Sequence, residues 1–345
     1  MRIPLPFHET TTSDAVSTGA LPGLEVVEDL LREVFDLYRP LEEGDVADYI
    51  PALANVDPSL FAVSMVGVAG RRVSVGDAAH LFSLQSISKA FVFALVCDAI
   101  GHEEAHRRLG VNATGLAFNS VMAIELNEER TMNPMVNAGA MATTSLVPGA
   151  TPQDRWEFIR QGLSQFAGRE LDLDPEVYES ESATNLRNQG IAHLLHSYDR
   201  LYADPDETTD LYTRQCSLLV TAPDLAAMGA TLANGGVNPL TGRRVIEPFH
   251  CKHVLAALAT AGLYEHSGDW LYEVGLPGKS DVSGGIVTIA PGKGGLATFS
   301  PRLDGAGNSV RGQRVTRHVS EKLGLNIFGS KPAAAGPSFS PPSPA

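Results

Sequence analysis

Cysteine is scarce in this 345-residue chain, with only Cys97, Cys216 and Cys251. An odd count without a CxxC pair excludes a disulfide framework, and a reduced compartment, the cytoplasm, is the simpler setting. Basic charge is also short. Lys and Arg number 26 against 40 Asp and Glu, a formal net charge of −14. A field of that sign repels phosphate backbones and anionic headgroups, so neither nucleic acid nor membrane is expected as a partner. No run of about 18 apolar residues occurs. Residues 1–23 lack the apolar core of a signal peptide.

Several motifs are missing as well. There is no GxSxG elbow. Gly278-Lys279-Ser280 resembles the end of a phosphate-binding loop, but Glu273 stands where that loop needs its first glycine. The acidic stretch Asp172, Asp174, Glu176, Glu179 lacks the central glycine of a calcium loop and reads as solvated surface.

What is present is an ordinary globular composition, 43% apolar and 19% charged. At this length one large domain with two lobes is expected, or two small domains. Residues 1–22 read as a flexible extension, 23–328 as the folded domain, and 329–345, rich in Pro, Ala and Ser, as a disordered tail. Val27, Leu30, Leu31, Val34, Leu37 and Tyr38 fall at helical spacing before Pro40. Residues 61–69 form an apolar strand, and Val73 and Val75 alternate in a second. Residues 86–100 are apolar almost throughout and predict a buried helix. Thr151 with Asp154, and Thr221 with Asp224, predict capping boxes opening two further helices. Strands return at 286–290 and 296–299 around a turn, and 310–323 predicts a last helix. Strands near both ends with helices between them give an α+β fold: an antiparallel sheet flanked by helices, with a helical lobe over roughly 101–240 and a cleft between the two.

Two short motifs carry chemistry. His102-Glu103-Glu104-Ala105-His106 matches HExxH, in which histidines one turn apart hold zinc and the glutamate acts as base; Glu125 could stand as a third ligand. Gly101 before it and Arg107-Arg108 after it indicate a solvated helix instead, so no metal is expected. Ser86-Ile87-Ser88-Lys89 is the sole SxxK. Placed at the start of an apolar helix, Ser86 would have free backbone N–H groups beside it to hold an oxyanion, and burial would make Lys89 a base. A capping serine with a snorkelling lysine fits the four residues equally well.

Longer blocks separate the two readings. FSLQSISK at 82–89 resembles the nucleophile motif of the serine-dependent glutaminases, and NPMVNAGA at 133–140 is similar to their second block. Ser180-Glu181 with Arg187-Asn188, residues 212–217 with Thr221, and 230–236 continue the series. So do Gly262-Leu263-Tyr264 with Ser267-Gly268, 275–280 with 282–285, and residues 300–312. The resemblance runs in order from about residue 23 to residue 328. It implies a β-lactamase/DD-peptidase-like fold, no cofactor, L-glutamine as small-molecule substrate, and a homodimer or homotetramer. It implies Ser86 as nucleophile, Lys89 as its base and Tyr212 as an aid to proton transfer. The N–H groups of Ser86 and Val282 would form the oxyanion hole. Asn137, Glu181, Asn188 and Tyr264 would hold the substrate, with Tyr49 and Gln85 in support.

The chemistry suits these residue types. Glutamine carries an α-ammonium, which Glu181 can take, and an α-carboxylate, which neutral amide and hydroxyl donors can bond. Competing readings are a penicillin-interacting peptidase or esterase, and an inactive glutamine-binding protein. The departure from the family pattern that bears on the site is Asp281, where the family usually has glycine. Strand alternation predicts that its side chain faces solvent and that Asp281→Gly changes kcat less than about threefold. Reading His102 and His106 as surface residues predicts that glutamine turnover in EDTA equals that without it. Loss of activity restored by zinc would overturn that reading.

Overall fold

The computed structural model describes residues 19–48 and 50–330; residues 1–18 of the expected extension, 331–345 of the expected tail, and Tyr49 lie outside the described residues. Seven strands are present among the described residues: β1 (Ala62–Gly67), β2 (Arg72–Gly76), β3 (Phe82–Ser83), β4 (Leu219–Val220), β5 (Gly278–Ser280), β6 (Gly285–Ala290) and β7 (Gly294–Phe299). Five make one antiparallel sheet in the order β2-β1-β7-β6-β5, and β3 pairs with β4 separately. Burial follows place in the sheet. Central β1 and β7 are buried at every residue, whereas edge strand β2 alternates, with Val73 turned inward.

Each face of the sheet is covered by helix. The expected first and last helices, Leu24–Tyr38 and Val310–Leu323, lie on one face, where Val27, Leu31 and Val34 share a core with Met65, Ile286, Val315 and Val319. The helix Ala222–Ala233 lies on the other face, although its residues fall inside the span read as helical lobe. Both expected capping boxes form. Asp154 N donates to Thr151 Oγ1 at 3.2 Å while Thr151 N donates to Asp154 Oδ2 at 3.0 Å, and Thr221 and Asp224 repeat the exchange.

The lobe is built around the expected buried helix, Ser88–Ile100. Its Phe91, Val92 and Leu95 pack with Ile159, Leu163 and Phe166 of the helix Pro152–Ala167. A second apolar cluster joins Met141, Ile191, Leu195 and Tyr212 from the helices Asn137–Thr144, Leu186–Ser197 and Pro205–Cys216. The result is an α+β arrangement with Ser86 at the seam between sheet and lobe.

One contact fixes how close the helix Ala222–Ala233 comes to the sheet. A Cβ at Gly295 would stand 2.3 Å from Ala226 O and 2.4 Å from Ala230 N, both main-chain atoms that cannot swing aside. Gly295→Ala is therefore expected to cost about 1–3 kcal/mol or more. A melting temperature equal to that of the parent chain would show that the interface can yield.

Candidate active site

The turn that carries Ser86 is held from below by a short ladder. Phe82 pairs with Val220 and Ser83 with Leu219, and Leu84 N donates to Leu218 O at 2.8 Å. One turn of 3₁₀ helix, Gln85–Ile87, then leads into Ser88–Ile100. Ser86 thus sits in the tight turn before the α-helix, not at its first residue as the sequence suggested. Gln85 has φ +42°, a left-handed conformation that a residue with a Cβ adopts at a cost of roughly 1–3 kcal/mol. Neighbours hold it there. Ser88 Oγ donates to Gln85 O at 2.7 Å, Gln215 Nε2 donates to Ser88 Oγ at 3.2 Å, and Gln85 Nε2 donates to Ser83 Oγ at 3.2 Å. Among the described residues, the N–H of Ser86 has no hydrogen-bond acceptor.

Lys89 is 1% exposed. Its Nζ donates to Asn137 Oδ1 at 2.7 Å, and Asn137 Nδ2 donates to Asn188 Oδ1 at 2.9 Å. Burial pushes the amine down to about 8, with Cys216 and Glu181 pulling the other way. An unprotonated amine is therefore accessible near neutral pH, as a general base requires. Glu181 is also buried, at 7% exposure. Burial pushes its carboxyl up to about 7, against the pull of Gln85, whose Nε2 donates to Oε2 at 3.4 Å, and of Lys89.

Six of the expected residues line one cleft: Gln85, Ser86, Asn137, Glu181, Asn188 and Tyr212. Lys89 lies behind Asn137. Tyr264 reaches the site from the opposite side: its hydroxyl lies against that of Ser86 and donates to Ser280 O at 3.2 Å, and its ring meets Phe118, which lines the cleft, at 4.7 Å between centroids. The side chain of Val282 packs in an apolar cluster with Ala47, Ile50, Leu53 and Val177. Its N–H makes no hydrogen bond among the described residues. Tyr49 lies outside the described residues. Sequence reasoning gave no role to Asn119, Asn185 and Arg187, which also line the cleft. Arg187 adds positive charge there, and its Nε donates to Asn119 O at 2.8 Å. Its position beside Asn188 in a quoted block was the available signal.

Asp281 corrects the sequence reading. It is 0% exposed, not turned to solvent. The alternation rule fails because β5 ends at Ser280 and Asp281 opens a turn. Its Oδ1 accepts from the N–H groups of Ser283, Gly284 and Gly285 at 2.8, 3.0 and 2.9 Å. Burial pushes the carboxyl up to about 7, against hydrogen bonds from the Ser283 hydroxyl and the Gly285 and Ser283 N–H groups and the charge of Lys279.

Residues 44–328 match the glutaminase family profile. The chain belongs to the glutaminase family. It is 56% identical over 319 residues to glutaminase 2 of Yersinia pestis, covering 92% of this chain and 94% of that one. It is 48% identical over 307 residues to a glutaminase of Colwellia psychrerythraea, covering 89% and 99%. Among solved structures, a probable glutaminase, YbaS, superposes with TM-score 0.88 at 45% identity, covering 90% of this chain and 100% of that one. The Bacillus subtilis glutaminase YbgJ, solved as a covalent complex with 5-oxo-L-norleucine, superposes with TM-score 0.80 at 31% identity, covering 88% and 100%. The fold is the family's β-lactamase-like one, and these likenesses do not favour a peptidase, an esterase or an inactive binding protein.

The HExxH segment stands apart from this cleft. His106 is exposed, Glu104 pairs with Arg107 and Arg108, and Glu125 is engaged by Arg130 and by the Tyr198 hydroxyl at 2.9 Å. His102 is half-buried rather than fully exposed, stacked on His253 with centroids 4.0 Å apart.

The two shifted groups set an expected pH profile. Lys89 acts as base only when unprotonated, and its burial places that change near 8. Glu181 attracts an ammonium only when ionised, which requires a pH above about 7 in the empty site. Activity on glutamine should therefore fall as pH drops from 9 to 6, kcat following the amine and kcat/KM following both groups. Lys89→Met should remove the acid limb of kcat together with about 10²-fold or more of the rate. An unchanged pH–kcat profile in Lys89→Met would make the amine structural.

Proposed function

We propose that this chain hydrolyses L-glutamine to L-glutamate and ammonia through a γ-glutamyl ester on Ser86, with Lys89 as general base. The observation that carries this reading is the convergence of Ser86, Asn137, Glu181, Asn188 and Tyr212 on one cleft with a buried amine directly behind Asn137. Glu181 takes the α-ammonium. Asn188 and Arg187 face the α-carboxylate, and the γ-amide lies over Ser86.

In the first half-reaction Lys89 accepts the Ser86 proton as Oγ bonds to the amide carbon. The carbonyl oxygen becomes an oxyanion, bonded by the Ser86 and Val282 N–H groups, which are unoccupied among the described residues. Removing one such donor costs about 10²–10³ in rate where it has been measured. The C–N bond then breaks, and the leaving nitrogen takes the proton held by Lys89, with the Tyr212 hydroxyl assisting. Ammonia departs. In the second half, water gives a proton to Lys89 and its oxygen to the acyl carbon, and Ser86 Oγ leaves with that proton. No step calls on a cofactor. The reading extends to a cytoplasmic enzyme acting as a homodimer or homotetramer; its three free, buried cysteines suit a reduced compartment.

The decisive variant is Ser86→Ala. It should release ammonia about 10³-fold or more slowly while still binding glutamine in calorimetry. A variant keeping a tenth of the parent activity would sink the assignment. A diazoketone glutamine analogue should in turn add one 5-oxo-norleucyl group per chain, at Ser86.

A further inference from the structure

The turn between β5 and β6 sorts its own hydrogen-bond donors. Four consecutive N–H groups stand in residues 282–285. Three of them, from Ser283, Gly284 and Gly285, converge on one carboxylate oxygen, Asp281 Oδ1, at 2.8, 3.0 and 2.9 Å. The fourth, from Val282, has no partner among the described residues. The main chain closes the same loop, with Asp281 N donating to Gly285 O at 3.1 Å. The backbone is thus wrapped around its own anion, as peptide N–H groups wrap a bound phosphate or sulfate. Bonds to an ionised acceptor are roughly twice as strong as neutral ones, so with the carboxyl ionised this turn is stiffer than backbone bonding alone would make it.

A second contact ties the turn to the nucleophile. The Ser283 hydroxyl stands 2.7 Å from Asp281 Oδ1 and 3.0 Å from Ser83 O, the carbonyl three residues before Ser86. Its single proton is shared between the two. The other face of the turn is pressed on Ser300: a Cβ at Gly284, whose φ is +107°, would stand 2.3 Å from Ser300 O. Oδ2 of Asp281 makes no hydrogen bond. The hydrogen bonds to the carboxyl thus all fall on Oδ1 and come from residues 283–285 of the turn, while its field also reaches the Tyr264 hydroxyl.

We infer that Asp281 is a positioning residue for acyl transfer: by collecting three N–H groups of the turn it leaves that of Val282 as the turn's one free donor, to serve the developing oxyanion beside that of Ser86. This rests on the reading of Ser86 as nucleophile and Val282 as oxyanion donor. Glycine, the family's usual residue here, offers no side-chain acceptor, so this chain orders the turn by different means.

The test compares full-length Asp281→Ala and Asp281→Asn, with active sites counted by 6-diazo-5-oxo-L-norleucine labelling so that kcat refers to competent molecules only. Asp281→Ala should lower kcat about 10- to 100-fold, below or at the scale of losing a donor outright, with KM for glutamine within about twofold. Asp281→Asn, which keeps the Oδ1 acceptor, should recover to within about fivefold of the parent. An alanine variant within about threefold of the parent, a loss confined to KM, or an asparagine variant no better than alanine overturns the inference. Should Asp281→Ala not fold, Ser283→Ala decides: kcat per labelled site falls by about threefold or more at constant KM, or the inference is wrong. Labelling of the parent chain away from Ser86 would overturn the underlying nucleophile reading, and that result is obtained before any Asp281 variant is measured.

Discussion

Removing the Lys89 amine from water imposes most of what surrounds it. An isolated buried ammonium costs several kcal/mol even after the protein relaxes. The chain meets that cost in two ways. It lets the amine lose its proton readily, and it gives the amine one short bond, to Asn137 Oδ1 at 2.7 Å. The acceptor must then be held still. The helix Asn137–Thr144 does this by packing close to the loop before it: a Cβ at Gly139 would stand 1.9 Å from Asn133 O, so the loop rests on the helix at the one residue without a side chain. Asn137 passes the constraint to Asn188 on a third helix. The apolar wall of Ser88–Ile100, the glycine at 139 and the amide relay are parts of one solution to a buried amine.

Glu181 adds a second buried ionisable group, and the two temper each other. Each lies within the other's field, the amine pulling the carboxyl down and the carboxylate pushing the amine up, while burial drives both the opposite way. In the proposed binding mode, a substrate ammonium beside Glu181 supplies the positive charge that burial denies it and so stabilises the carboxylate.

Much of this was legible in the sequence, and the exceptions share a cause. The helix Leu24–Tyr38, both capping boxes and the burial of 88–97 follow from periodicity and local hydrogen-bonding chemistry, which act over a few residues. The SxxK face was readable for the same reason. The 3₁₀ turn at Gln85 was not, because its left-handed φ is imposed by Ser88, Gln215 and the β3–β4 pair rather than by Gln85. The burial of Asp281 was missed because an alternation rule for strands was carried one residue past the end of β5, into a turn where a carboxylate can bond its own following amides. Arg187 and Asn185 reach the cleft through the packing of two helices, which no single stretch records. Local rules therefore gave the elements and the SxxK pair, the resemblance gave that pair its expected role, and residues placed by distant contacts needed the folded chain.

The sheet order has a consequence for synthesis. Strand β1 lies between β2 and β7, with Ala62 opposite Phe299. At about 5–20 residues per second, the roughly 230 residues between those strands take a ribosome on the order of 10–50 seconds to make. During that interval β1 can pair only with β2, and a lone two-stranded hairpin is marginal in water. One side of AVSMVG, a strand with no charge, then presents open N–H and C=O groups to the crowded cell. The nascent chain is most exposed to mispairing while the helical lobe is being made, and the arrival of β6 and β7 together closes both the sheet and that window.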